Sequence, residues 1–313
     1  MLSISGYQVH RLLDFPSLIE ALEDGFRSEI QAPPRHHHSF GDHSMLLLMP
    51  AWEQGKYLGV KLITVNPFNR GSGLPSIQGL YCLFNAETGE PVATIDAPAL
   101  TNYRTAAASA LAARFLARKN SLNFLMIGTG SLAPYLIKAH CTVRNYQRVI
   151  VWGRDREKAR KLVNELKDQV ENIEIGPDLQ IAIEEADVIS VATLSESPLV
   201  NGLWLSPGTH IDLVGSYKPN MREADDLTIK RSTVYIDTHH GLHESGDLVQ
   251  PIRKGILSEA TLGGTLTDLC RGAKNGRTSE EQITLFKSVG HASEDLVAAV
   301  LAYQKYGSVF NLA

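Results

Sequence analysis

The 313-residue sequence predicts an α/β fold, a parallel sheet flanked by helices and preceded by an α+β segment. Three observations carry this. From residue 123 onward, short apolar runs (FLMIG, VIVWG, VISVAT, IDLVG, VYID) alternate with charged stretches of helical length. Strands separated in this way pair in parallel through right-handed crossovers. Before residue 119 the texture differs. Runs at 45–49, 57–65, 77–85 and 91–96 are parted by Gly, Asn and Pro turns, which predicts an antiparallel sheet. An Ala-rich stretch at 100–119 reads as a helix joining the two parts.

The remaining elements follow from periodicity. Within 10–30, Leu12, Leu13, Leu18, Ile19, Leu22 and Phe26 fall on one face of a helix. A last helix over 279–305 carries the chain away from the parallel sheet. The expected division is a domain at 1–118, completed by a C-terminal helix at about 290–313, and a second domain at 119–289. About two domains is what this length allows.

Composition excludes several classes. Lys and Arg total 30 and Asp and Glu 34, a net charge of −4, and no long run has one sign. Nothing here forms the electrostatic footprint of a nucleic-acid or anionic-membrane binder. The N-terminal MLSISGYQVHRLLDF lacks the features of a signal peptide, and the apolar stretch 45–52 is too short to span a bilayer. Cys82, Cys141 and Cys270 stand far apart in no metal or redox spacing, so reduced thiols are expected. A soluble cytoplasmic protein is the default expectation.

LMIGTGSLAPYLIKAH contains the first chemical signal. Gly128 permits a tight turn after a strand, Gly130 lets backbone approach a pyrophosphate, and Ala133 keeps helix and sheet close. The N–H groups at the helix start, near Ser131 and Leu132, face the phosphates with Thr129. Strand, G-x-G-x-x-A and helix in that order indicate a Rossmann-type dinucleotide site. The ends of the next strands, Gly153 with Arg154, Ala192 with Thr193, and Gly215, complete the expected cofactor residues. An NAD enzyme usually places an acid on the ribose about 20 residues past the glycines. Here Arg154 ends the strand, and its planar fork suits a 2′-phosphate. Arg156 and Lys158 lie nearby, and Asp155 still has reach to a ribose. NADPH is therefore favoured, with NADH as the alternative.

Three cations outside that domain break local rules. Lys61 interrupts the apolar YLGVKLITV. Arg104 is expected in the first turn of the Ala-rich helix behind Thr101 as cap, where the helix dipole favours anions. Arg35 follows the stiff Pro33-Pro34 pair. Each taken alone is as consistent with a structural ion pair as with a ligand contact. Together, without an evident local acid, they point to a carboxylate-binding pocket. His36, His37, His38, Asp42 and His43 do not suggest a metal site, because adjacent strand residues point to opposite faces and no second cluster completes a ligand set. A solvated loop is expected there.

NYRTAAASALAARFLAR, LLLMPAW, GVKLITV, GTGSLA and TLFKSVGHASEDL together resemble the ornithine cyclodeaminase/mu-crystallin family, over nearly the whole chain. The resemblance implies a Rossmann domain with an N-terminal α+β substrate-binding and dimerisation domain, hence a homodimer. It implies that Arg35, Lys61 and Arg104 hold a substrate carboxylate, with Lys61 as the catalytic candidate. Two departures narrow the substrate. Where the cyclodeaminases carry an acid two residues before the Met of the LMP motif, this chain has Leu47. Where they carry a second acid after a strand-end Gly pair, it has Tyr217 after Gly215-Ser216. A distal ammonium buried against Leu47 would lack a countercharge, whereas a ring imine has none to satisfy. The expected activity is NAD(P)H-dependent reduction of a cyclic ketimine carboxylate, Δ1-pyrroline-2-carboxylate to L-proline, with Δ1-piperideine-2-carboxylate to L-pipecolate as a second substrate. The alternatives are ornithine cyclodeaminase, alanine dehydrogenase, and a mu-crystallin-like NADP(H) and small-ligand binder without turnover.

Overall fold

The computed structural model describes residues 1–310, so residues 311–313 of the expected C-terminal helix lie outside the described residues. The chain divides into two units, one of Met1–Thr105 with the segment from His291 onward, the other of Ala106–Gly290. The division falls inside a helix, upstream of the boundary expected at 118–119.

In the first unit, β1 (Leu2–Ile4) leads to α1 (Gly6–Leu12) and α2 (Phe15–Arg27). Strands β2 (His36–Gly41), β3 (Ser44–Glu53), β4 (Tyr57–Val65), β5 (Ile77–Asn85) and β6 (Pro91–Asp96) follow, then α3 (Ala97–Leu116). Two helices therefore replace the single one expected over 10–30. Ser5 and Gln8 form a reciprocal capping box on α1. The chain turns extended at Leu13, and Asp14 caps a new helix with Pro16 in its first turn, where a missing N–H costs nothing.

The sheet order is β1-β6-β5-β4-β3-β2. It is mixed rather than antiparallel, because the three-residue β1 runs parallel to β6. The histidine run expected as a loop is instead the edge strand β2, exposed at every position. Pro50 is tolerated inside β3 because the β2 ladder ends at Leu48, before the missing N–H matters. Gly59 on β4 accommodates Tyr81 of β5: a Cβ there would lie 2.0 Å from the Tyr81 hydroxyl.

In the second unit β7 (Asn123–Ile127), α4 (Ala133–Val143), β8 (Arg148–Trp152), α5 (Arg156–Leu166) and β9 (Ile173–Ile175) form one half. Then come α6 (Leu179–Glu184), β10 (Val188–Val191), β11 (His210–Leu213), α7 (Asp226–Arg231), β12 (Ser232–Ile236), α8 (Gly241–Glu244) and α9 (Gly246–Arg253). Strand β13 (Gly264–Thr265), α10 (Leu266–Cys270) and β14 (Ile283–Lys287) complete it. All strand pairs are parallel, in the order β13-β12-β14-β11-β10-β7-β8-β9. Leu125, Ile127, Ile150, Ile189, Val191, Ile211 and Leu285 pack in its core. The chain reverses between β7 and β10, the switch point at which such sheets bind dinucleotides.

The helix expected over 279–305 is corrected. Residues 283–287 are β14, between β11 and β12 and buried throughout, and the helix α11 runs only over Ala292–Phe310. Helix α11 belongs to the first unit, where it packs on α2 and on β3, β4 and β5. Among the described residues no helix is long and apolar enough to cross a membrane.

Candidate active site

In the second unit a cleft opens over the ends of β7, β8 and β10. It is lined by Gly128, Thr129, Gly130, Gly153, Arg154, Ala192 and Thr193, seven of the residues expected for a cofactor. Trp152, Lys158 and Leu199 add to its walls. Gly128 has φ 121°, and a Cβ there would sit 2.5 Å from the Ala192 carbonyl oxygen, so only glycine fits. A Cβ on Gly130 would instead meet nothing within 4 Å. It would project into open space, so packing does not require glycine there, and the bare backbone leaves room for a ligand to approach. Helix α4 starts at Ala133 with no side-chain cap, as suits a helix whose N-terminus receives an anion. Ser131 and Leu132 lead into that helix, Ala133 is buried, and Gly215 does not line the cleft but packs on Thr193. These features fit a dinucleotide pyrophosphate. Asp155, the rival ribose ligand, is engaged as cap of α5, its carboxylate accepting from the Glu157 and Lys158 amides at 3.0 and 3.2 Å.

In the first unit the misplaced cations meet. Lys61 pairs in register with Met49 and Tyr81, so Leu47, Met49, Lys61, Ile63 and Tyr81 share one face of the sheet. Lys61 is 2% exposed and Arg104 5%. Both have acidic partners that the sequence did not reveal. The Lys61 ammonium lies 2.7 Å from Asp295, and Arg104 lies 2.5 Å from Glu294 and 3.0 Å from Asp295. Both acids stand in the first turn of α11 and are completely buried. Arg35, half-buried just before β2, is near enough to Lys61 to act on its ionisation. Burial and the charge of Arg104 pull the Lys61 ammonium down to about 8, against the opposing pull of Asp295.

Two expectations are corrected here. Arg104 is not in a first turn behind Thr101. Helix α3 begins at Ala97, with Asp96 accepting the Ala99 amide at 2.8 Å and Pro98 in the first turn, so Arg104 lies mid-helix. Nor do the cations lack acids: Glu294 and Asp295 neutralise much of their charge. Leu47 is half-buried on the same face as Lys61, two register steps from it. Tyr217 belongs to the second unit, where it is 44% exposed with the Lys218 ammonium 5.5 Å from its ring centre. Among the described residues no three His, Cys, Asp or Glu side chains gather as a metal site.

A third carboxylate also escaped the sequence reading. Glu223, fully buried beside the dinucleotide cleft, accepts hydrogen bonds from the Thr193 amide and hydroxyl and from the Gly215 and Ser216 amides. Burial raises its carboxyl above the usual range, opposed by the charge of Lys287 on β14.

Comparison with known proteins gives the same architecture. A Δ1-pyrroline-2-carboxylate reductase of Colwellia psychrerythraea is 37% identical over 311 residues, covering 96% of this chain and 98% of that one. The structure of the Thermococcus litoralis Δ1-pyrroline-2-carboxylate reductase in complex with NADH and L-proline superposes with a TM-score of 0.92. It is 34% identical and covers 97% of both chains. An archaeal alanine dehydrogenase dimer with bound NAD gives a TM-score of 0.93 at 30% identity, covering all of this chain and 98% of that one. The family model for ornithine cyclodeaminase/mu-crystallin proteins matches residues 1–309, and the chain belongs to that family.

Proposed function

We propose that the protein reduces a cyclic ketimine carboxylate with a nicotinamide cofactor, Δ1-pyrroline-2-carboxylate to L-proline, and Δ1-piperideine-2-carboxylate as a second substrate. The observation that carries this is the buried Lys61–Asp295–Arg104–Glu294 cluster on a face where Leu47 offers no acid for a distal ammonium. The relatives named for the pyrroline reaction support it. Arg35 and Arg104 orient the substrate carboxylate, and Lys61 places a proton on the imine nitrogen, which makes the adjacent carbon electrophilic. The nicotinamide supplies the hydride. Purified protein should consume NADPH with pyrroline-2-carboxylate and release no ammonia from ornithine. Efficient ornithine conversion with no ring-imine reduction would replace this reading by the cyclodeaminase one. Activity confined to pyruvate plus ammonia would replace it by alanine dehydrogenase.

NADPH is the proposed preferred cofactor. Arg154, Asp155 and Lys158 all line the cleft, so two cations face one acid there, and one oxygen of that acid caps α5. Arg154→Ala is then expected to raise the KM for NADPH about tenfold, the value of one charge-assisted contact, and to leave that for NADH nearly unchanged. Equal losses with both cofactors would show that the side chain does not reach a 2′-phosphate.

The proposed assembly is a homodimer joined through the six-stranded sheet. Strands β4 and β5 are central in that sheet, so neither leaves an edge for a second copy to pair with. Leu80, however, is 53% exposed on the sheet face opposite Lys61, which a second copy would cover. Sedimentation should show a dimer at micromolar concentration, and a stable monomer there would overturn this.

A further inference from the structure

Glu223 is a buried ionisable group to which the mechanism above gives no task. Its two carboxylate oxygens divide their work. Oε1 accepts the Thr193 amide at 2.7 Å and the Thr193 hydroxyl at 2.9 Å, and Oε2 accepts the Gly215 amide at 2.8 Å and the Ser216 amide at 3.2 Å. A carboxylate has about four acceptor sites, so all are in use. The backbone carbonyl of the same residue accepts the Leu199 and Val200 amides, both at 2.9 Å. Asp247 in turn fixes the Glu223 main chain, accepting its amide at 2.8 Å.

The segments so joined are the loops after β10 and β11, and their contact is close. A Cβ on Gly215 would lie 2.1 Å from the Thr193 carbonyl oxygen and 2.5 Å from Glu223 Oε1. Thr193 also touches the dinucleotide turn, its Cγ2 lying 3.3 Å from where a Gly128 side chain would begin. Thr193 and Leu199 both line the cleft. In a sheet of this order the pyrophosphate lies at the β7 turn and the adenosine half over β8. The nicotinamide half must therefore run the other way, over the ends of β10 and β11, the loops that Glu223 ties together.

We propose that Glu223 is a positioning residue for the nicotinamide half of the cofactor, setting the Thr193 and Leu199 walls against which that half lies. The inference rests on the reading of the cleft as a nicotinamide-dinucleotide site and adds a task to a residue that touches no substrate. A role of this kind is specific to one half of the ligand, whereas a general loosening of the unit is not.

The test compares NADH with AMP, which carries only the adenosine half, by titration calorimetry in the absence of substrate. Glu223→Gln puts an NH₂ against at least one N–H donor and should weaken NADH about tenfold while AMP binds as to the wild type. Thr193→Val, which removes one hydroxyl donor and keeps the backbone bonds, should weaken NADH by a smaller factor with AMP again unchanged. It serves if the Gln variant does not fold. Equal weakening of NADH and AMP, or no weakening of NADH in either variant, would overturn the role and leave the ring-imine reading untouched. The selective loss of NADH in a protein that fails to reduce any ring imine would uphold the role and sink the substrate reading instead.

Discussion

Replacing Lys61 with alanine is expected to cut turnover of the ring imine by about 10²–10⁴-fold, the usual contribution of a placed proton donor. Affinity for NADPH should hardly change, because Lys61 is not among the residues that line the dinucleotide cleft. The fold should survive, since Asp295 keeps Arg104 at 3.0 Å as a partner. The pH profile separates a proton donor from a mere carboxylate anchor. Burial first, then the charges of Arg104 and Arg35, lower the Lys61 ammonium to about 8, while Asp295 raises it. A step that needs the ammonium form loses rate as pH rises through about 8 in the wild type. Asp295→Asn removes the charge that favours the ammonium, so that falling limb should move to lower pH. In Lys61→Ala it should vanish. A limb that persists unchanged in Lys61→Ala would assign the proton to the substrate or to another group.

How far the sequence revealed this site depended on the distance over which its parts interact. The turn at Gly128–Gly130 is local: strand, glycines and helix lie within a dozen or so residues, and a pattern of that reach is readable. Lys61 and Arg104 were visible because a charge in an apolar strand or an Ala-rich helix breaks a local rule. Their partners were not. Glu294 and Asp295 sit in the first turn of α11, where acids are ordinary because the helix dipole favours them. Only the fold brings them to residues 190 and 234 positions away. Glu223 was hidden for a related reason: its four donors come from two loops, and three of them are backbone amides, which carry no sequence signature. In the fold itself, β14 was read as helix because ITLFK is too short for its period to show, and β1 went unassigned because three residues carry no pattern. The single helix over 10–30 failed at Asp14 and Pro16, whose start signal was outweighed by the continuing apolar spacing.

Arg104→Met is expected to destabilise the protein by about 3–5 kcal/mol at neutral pH, the usual cost of breaking a buried ion pair from one side. Arg104 is 5% exposed and pairs with two fully buried carboxylates, hydrogen-bonded to Glu294 and ion-paired with Asp295, so water cannot replace it. The loss should depend on pH in a definite sense. In the variant a buried carboxyl deprived of its guanidinium binds a proton more tightly than it does in the unfolded chain. The unfolded state then carries fewer protons than the folded one, so stability falls as pH rises through that raised pKa. The variant should therefore recover part of its urea midpoint between neutral and mildly acidic pH, where the wild type gains nothing from this source. Glu294→Gln added to Arg104→Met should remove the buried charge, restore much of the midpoint and abolish that recovery. Substrate binding separates the structural share of Arg104 from its ligand share. If the guanidinium also holds the ring carboxylate, the double variant should be stable and still bind pyrroline-2-carboxylate about tenfold or more weakly. A stable double variant with wild-type KM would leave Arg104 a purely structural counterion and transfer the carboxylate to Arg35 and Lys61.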